Sequence, residues 1–124
     1  MKIYIAHTTA FDYQNDLYYP IKESYVWNAH DIILPHQHSK DVIFNSLPVI
    51  ATCDSLIAEI SYPSTGMGIE IGWAVAHNIP VLAIYKQDTK PSSSIKMITN
   101  DLYEYDSSSD LIQKITTYIL EKNK

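Results

Sequence analysis

The sequence predicts an α/β fold: a single doubly wound domain of flavodoxin- or Rossmann-like type, with a five-stranded parallel sheet flanked by helices. Three observations lead there. Short apolar runs of strand length alternate strictly with segments of helical spacing. The runs are continuously apolar, as strands covered on both faces are. Finally, 124 residues with 46% hydrophobic and 19% charged side chains suit one globular core, taken here as residues 1–124.

In chain order, the strands are Lys2 to Ala6, Asp31 to Leu34, Ser55 to Ile60, Pro80 to Tyr85 and Leu102 to Tyr105, each rich in β-branched or aromatic residues. Helical spacing marks Asn15 to Trp27, Lys40 to Thr52, Met67 to His77, Ser93 to Asn100 and Ser109 to Glu121. Pro20 kinks the first helix or stands in its first turn. The last helix is the clearest, because Leu111, Ile112, Ile115, Ile119 and Leu120 form an apolar stripe behind the capping candidates Ser108 and Ser109. In such a sheet ligands bind beyond the carboxyl ends of the strands. That edge holds His7 to Asp12, Pro35 to Ser39, Ser61 to Glu70 and Lys86 to Ser94.

Charge narrows the partners. The net charge is −5, there is no arginine, and no run of lysines offers the clustered cations that a duplex nucleic acid requires. No apolar stretch approaches the roughly 20 residues of a membrane span, and the N-terminus reads as a strand rather than a signal peptide. Cys53 is the only cysteine, so it has no partner for an internal disulfide. These features point to a cytoplasmic protein acting on a small molecule.

Average usage would give roughly nine glycines in a chain of this length. There are three, all between Gly66 and Gly72, in Ala58-Glu59-Ile60-Ser61-Tyr62-Pro63-Ser64-Thr65-Gly66-Met67-Gly68-Ile69-Glu70-Ile71-Gly72-Trp73-Ala74. Here a buried strand enters a turn whose glycines permit tight backbone geometry, and a helix begins with Glu70 in its first turn. Amides at that helix start favour an anion, and Ser64 and Thr65 add hydroxyl donors. The spacing is neither G-x-G-x-x-G nor a P-loop, and taken alone it is equally a steric turn.

This segment resembles the nucleoside 2-deoxyribosyltransferase superfamily, which includes the 2′-deoxynucleoside 5′-phosphate N-hydrolases. The shared pattern is Ala58-Glu59-Ile60, Ser61-Tyr62-Pro63-Ser64, Gly66, Gly68, Glu70, Gly72, Ala74 and Pro80-Val81-Leu82, with a looser match over Lys2-Ile3-Tyr4-Ile5-Ala6. The resemblance implies that Glu70 attacks the anomeric carbon of a deoxyribose, with Tyr4 positioning it. It implies that Ser64, Gly66, Gly68, Thr8 and Thr9 bind the 5′ end of a nucleoside or nucleotide. It further implies a homodimer whose active site is completed across the interface by Ser94, or Ser93, of a second copy. Serine at position 64 suits a phosphorylated ligand, where a carboxylate would repel it. No cofactor is implied.

Two positions depart from the hydrolases. Ser46 stands where family enzymes carry an Asp that binds the sugar and assists protonation of the leaving base; Asp41 and Asn45 are near it in sequence. Their first loop carries Gly-Ser-x-Arg where this chain has His7-Thr8-Thr9-Ala10, so Thr8, Thr9, helix amides, Lys86 or Lys90 must hold any phosphate. Histidines can compensate: His36 and His7 lie at the ligand edge as candidate proton donors or base contacts, and His7, His36 and His38 together form a candidate zinc set without cysteine. Among the aromatics, Phe11, Tyr13, Tyr18, Tyr19 and Trp73 offer stacking surfaces for a base, although a packed helix makes Trp73 a core or interface residue. The same departures admit two rival readings. One is a non-catalytic nucleotide-binding module; the other is hydrolysis of a different N-riboside.

Overall fold

A computed structural model describes residues 1–37 and 45–123. Five parallel strands form one sheet: β1 (Lys2–His7), β2 (Asp31–Ile33), β3 (Ser55–Glu59), β4 (Val81–Lys86) and β5 (Leu102–Tyr105), in the order β2-β1-β3-β4-β5. This is the flavodoxin-like winding, whose direction reverses between β1 and β3 and so opens a crevice at their carboxyl ends. Register places Tyr4 beside Leu56 and His7 beside Glu59 at that switch point.

Strand side chains point alternately to the two faces. One face carries Ile3, Ile5, Ile57, Leu82 and Ile84, packed with Leu17, Ile21, Val26, Leu111, Ile115 and Ile119. These come from a π-helical turn (Gln14–Tyr18), α1 (Tyr19–Lys22), α2 (Tyr25–Ala29) and α5 (Ser108–Lys122). The other face carries Tyr4, Ala6, Leu56, Ala58 and Ala83. Ile50 of α3 (Ser46–Ile50) and Met67, Ile71 and Ala74 of α4 (Thr65–Ala76) cover it, with Ile95 from a 3₁₀ turn at Ser93–Met97. Burial of these aliphatic groups, at about 25 cal/mol per Å² of apolar area, dominates the stability of the fold.

The expected helix over Asn15 to Trp27 is three pieces. Pro20 lies in the first turn of α1, and its missing N–H falls where the π turn gives way to α-helix. Ser24 then adopts an extended conformation and breaks the chain before α2. In the second expected helix, Lys40 to Thr52, residues 40–44 lie outside the described residues, and Ser46–Ile50 is helical. The fourth is the short 3₁₀ turn rather than a helix reaching Asn100. The last begins behind Ser107, whose hydroxyl caps the Asp110 amide at 3.1 Å, in place of the expected Ser108 or Ser109.

α4 corrects the glycine reading. Ser64, extended at φ −154°, is its N-cap and accepts the Met67 amide, so the helix begins two residues earlier than expected and Glu70 falls in its second turn. All three glycines are therefore helical. None has positive φ, and a Cβ on any of them would meet nothing within 4 Å. The turn is made by Tyr62, Pro63 and Ser64 without them. Among the described residues no helix is long and apolar enough to cross a membrane.

Candidate functional site

Tyr4 is fully buried in β1 and points towards α4, where its hydroxyl donates to Glu70 Oε2 across 2.5 Å. Burial, reinforced by the hydrogen bond to Glu70 and by its negative charge, holds the phenol above the ordinary tyrosine range, an effect that the Ser46 side chain opposes. Tyr4 is thus a fixed proton donor. It orients one carboxylate oxygen while Glu70 lines a cavity of about 520 Å³ at the sheet's carboxyl edge.

The structure gathers most of the sequence-derived residues around that cavity. Thr8, Thr9, His36, Ser64, Gly66 and Glu70 all line it, together with Ser46 and Asn45. Gly68 and Ser94 do not. They line an adjoining cavity of about 260 Å³ that shares Ser64 with the first, floored by Ile60, Met67, Ile71 and Ile95. Neither Lys86 nor Lys90 lines either cavity, and Lys86 is exposed at the end of β4. The Thr65 and Gly66 amides, in the first turn of α4, have no intrahelical acceptor and face the same end of the sheet.

His7 ends β1 and is 5% exposed. Its Nδ1 lies 2.8 Å from the Thr8 carbonyl, which only accepts, so this nitrogen carries the proton. Nε2 then accepts from the Tyr18 hydroxyl at 2.6 Å, and the Tyr18 oxygen accepts the His36 backbone N–H at 3.0 Å. Burial pushes the His7 pKa down to about 4, an effect the Thr8 carbonyl opposes and His36 reinforces. His7 is therefore a neutral strut between the first and second site loops rather than a free proton donor. Sequence reading missed this chain, since nothing local connects positions 7, 18 and 36.

Around the strut stand aromatic rings. Tyr13 lies 4.8 Å and His36 5.3 Å from the His7 ring, while Phe11 lies 5.8 Å from Tyr62. Tyr13 and Tyr18 are buried, whereas Tyr19 is 61% exposed. Trp73 is partly exposed, donates through Nε1 to the Leu47 carbonyl at 2.9 Å and stacks on His77, so within this chain it is not a core residue. His38 of the candidate zinc set lies outside the described residues, and among the described residues no three His, Cys, Asp or Glu side chains group to hold a metal.

A second polar group ends β3. Glu59, 1% exposed, accepts the Ser61 amide at 2.6 Å, the Ser61 hydroxyl at 2.9 Å and the Tyr105 hydroxyl. The matched segment includes Glu59 and Ser61, but their pairing needs the fold.

Known proteins share this sequence pattern and this fold. The family model for nucleoside 2-deoxyribosyltransferase matches residues 3–111. A protein of Syntrophotalea carbinolica named "Putative 2'-deoxynucleoside 5'-phosphate N-hydrolase 1" is 42% identical over 65 residues, 50% of this chain and 46% of that protein. A protein of the same name from Methanosarcina barkeri is 32% identical over 84 residues, 65% of this chain and 53% of that one. The chain thus spans about half the length of the curated relatives it matches. The structure of Clostridium botulinum CMP N-glycosidase, BcmB, shares the fold with a TM-score of 0.63 at 22% identity, over 94% of this chain and 99% of that one.

Proposed function

Because the chain belongs to the nucleoside 2-deoxyribosyltransferase family, we propose that it cleaves or transfers at the N-glycosidic bond of a deoxynucleoside or its 5′-monophosphate, with Glu70 as nucleophile. The observation that carries this reading is the Tyr4 to Glu70 hydrogen bond at the wall of the 520 Å³ cavity. A buried phenol that stays protonated holds one oxygen of a cavity-facing carboxylate, which fixes the attack direction without neutralising the nucleophile.

The Glu70 oxygen bonds to C1′ as the C1′–N bond breaks, and the bonding pair leaves with the base, which takes up a proton. Water, or a second base, then attacks C1′ from the opposite side, releasing Glu70 as carboxylate. The sugar keeps its configuration through two inversions. His36 lines the cavity as a candidate to contact or protonate the leaving base, with Ser46 in the place of the family Asp. Ser64, Thr8, Thr9, Gly66 and the first amides of α4 receive the 5′ group. None of these steps calls for a metal or redox cofactor.

A second copy of the chain completes the site. On α4, Ile69, which lines the site cavity, and Trp73, one turn further on, are 57% and 36% exposed, while Val75 and Met97, which line a further cavity together, are 42% and 87% exposed. Apolar side chains on the outer side of a surface helix favour a protein neighbour. Ser94 and Gly68, in the cavity beside Ser64, stand where such a neighbour can share them.

Incubation with a panel of deoxynucleosides and their monophosphates tests the reading. Free base should appear and should vanish in Glu70→Ala. The rival reading, a nucleotide-binding module without turnover, draws on Ser46 and on the lack of arginine. It predicts a ligand-induced rise in melting temperature with no base released by any substrate.

A further inference from the structure

The mechanism leaves unused a buried carboxylate at the same edge of the sheet. Glu59 ends the central strand β3, and its partners among the described residues are an amide and two hydroxyls rather than a cation. A buried carboxylate without a cation is costly to desolvate, and an apolar residue of similar size would pack there at lower cost. What the carboxylate does that an apolar residue cannot is bind three donors from two segments at once.

Those donors lie around the start of the site. Ser61 bonds Glu59 through its amide at 2.6 Å and its hydroxyl at 2.9 Å. The Ser61 oxygen in turn accepts the Lys86 amide at 2.8 Å, so a side chain continues the β3–β4 ladder one step after the Ile60 amide has bonded the Ile84 carbonyl. Tyr105, the last residue of β5, donates to Glu59 Oε2, the oxygen that also accepts the Ser61 hydroxyl, and its carbonyl accepts the Gln87 amide at 2.9 Å. The ends of β3, β4 and β5 are tied at one point. Three residues after Ser61, beyond the stiff Pro63, Ser64 caps α4 and starts the helix that carries Glu70.

We propose that Glu59 is a positioning residue: it clamps Ser61 against β4 and β5, and so fixes where Ser64 and α4 present Glu70 to Tyr4 and the cavity. The proposal rests on the reading of Glu70 as nucleophile for its kinetic consequence, though not for the clamp itself. Burial and the Glu59 charge hold the Tyr105 phenol above the ordinary tyrosine range, keeping it a donor. Misplacing a nucleophile by about 1 Å can cost about a hundredfold in rate.

Glu59→Gln and the milder Tyr105→Phe test this by two measurements. For base release, kcat per folded molecule should fall about tenfold to a hundredfold in Glu59→Gln and less in Tyr105→Phe, with KM within about threefold. The double variant should be no worse than Glu59→Gln alone, as expected for one clamp. Unchanged kcat in folded variants would overturn the proposal. Amide hydrogen exchange needs no turnover: residues 61–68 should exchange faster in both variants while β1 and α5 keep their protection. Uniform acceleration throughout the chain would mean a general packing role and would also overturn it. Absence of base release by the wild-type protein would instead remove the nucleophile reading, leaving the exchange result to decide the clamp.

Discussion

Tyr4 and Glu70 lie 66 positions apart in the chain and are joined by a 2.5 Å hydrogen bond, from the third residue of β1 to the second turn of α4. One element of the pair belongs to the sheet and the other to the helix that covers it, so the orientation of the Glu70 carboxylate is set by core packing. Tyr4→Phe keeps the ring and removes only the donor. A hydrogen bond to a charged group contributes about 1.5–3 kcal/mol. Base release should accordingly slow by about tenfold to a hundredfold with KM little altered, as steady-state kinetics will show. A variant with wild-type kcat would mean that Glu70 needs no such partner.

Ser46 lines the cavity beside Glu70, in the place where the family resemblance puts an acid. Ser46→Asp restores a carboxyl group close to Glu70, and the neighbouring negative charge raises its pKa, so that it has a proton to give. General acid catalysis is worth a factor of about 10² to 10⁴. The variant should gain at least about tenfold in kcat, measured as base released per folded protein, while Ser46→Ala changes little. A folded Ser46→Asp that is slower than wild type would show that protonation of the base is supplied elsewhere.

Much of the fold is legible in the sequence because each strand is a short apolar run and each covering helix repeats every three to four residues. Lys2 to Ala6 and Leu111 to Leu120 are the plainest cases. Helix limits are less legible where a proline or a cap competes with periodicity: Pro20 and Ser24 divide the first helical segment, and Ser64 starts α4 before its apolar stripe begins. The glycines mislead for a physical reason. Glycine suggests positive φ, yet here Asn78 and Asp88 hold the positive φ values at 58° and 66°, and the glycines are helical. In the candidate site, Glu70 and Ser64 are legible through a motif that keeps their spacing, and Tyr4 through the looser match over Lys2 to Ala6. The struts His7–Tyr18–His36 and Glu59–Tyr105 are not, because their contacts span 11 to 46 positions and exist only once the sheet is wound.

Ser64 caps α4 and, in the proposed reaction, receives the 5′ group. An aspartate caps as well as a serine and suits the helix dipole, whereas alanine costs about 1 kcal/mol of stability. Ser64→Asp should therefore keep its melting temperature while repelling a phosphate. Its kcat/KM for monophosphates should fall at least about tenfold, with free deoxynucleosides affected less. Equal losses on both substrate series would contradict a phosphate at this position.

His7 gives the fold a defined acid response. Its pKa falls from 6.5 in the unfolded chain to about 4 in the folded one, so the unfolded state binds the extra proton between these values. The stability from neutral His7 is fully present above pH 6.5 and is lost as pH falls towards 4, on the order of 3 kcal/mol in all. Urea unfolding at pH 7 and pH 4 should show that much more loss in the wild type than in His7→Gln. Equal losses would mean that His7 titrates normally.

The proposed reaction requires a covalent bond between Glu70 and the sugar, and intact-protein mass spectrometry after incubation with a 2-deoxy-2-fluoro nucleoside tests it directly. Fluorine at C2 destabilises the cationic transition states, so a glycosyl-enzyme that forms also persists. The predicted result is one added fluorosugar per chain, mapped to the peptide containing Glu70 and absent in Glu70→Gln. An adduct on another residue, or base release from natural substrates that survives in Glu70→Gln, would contradict it.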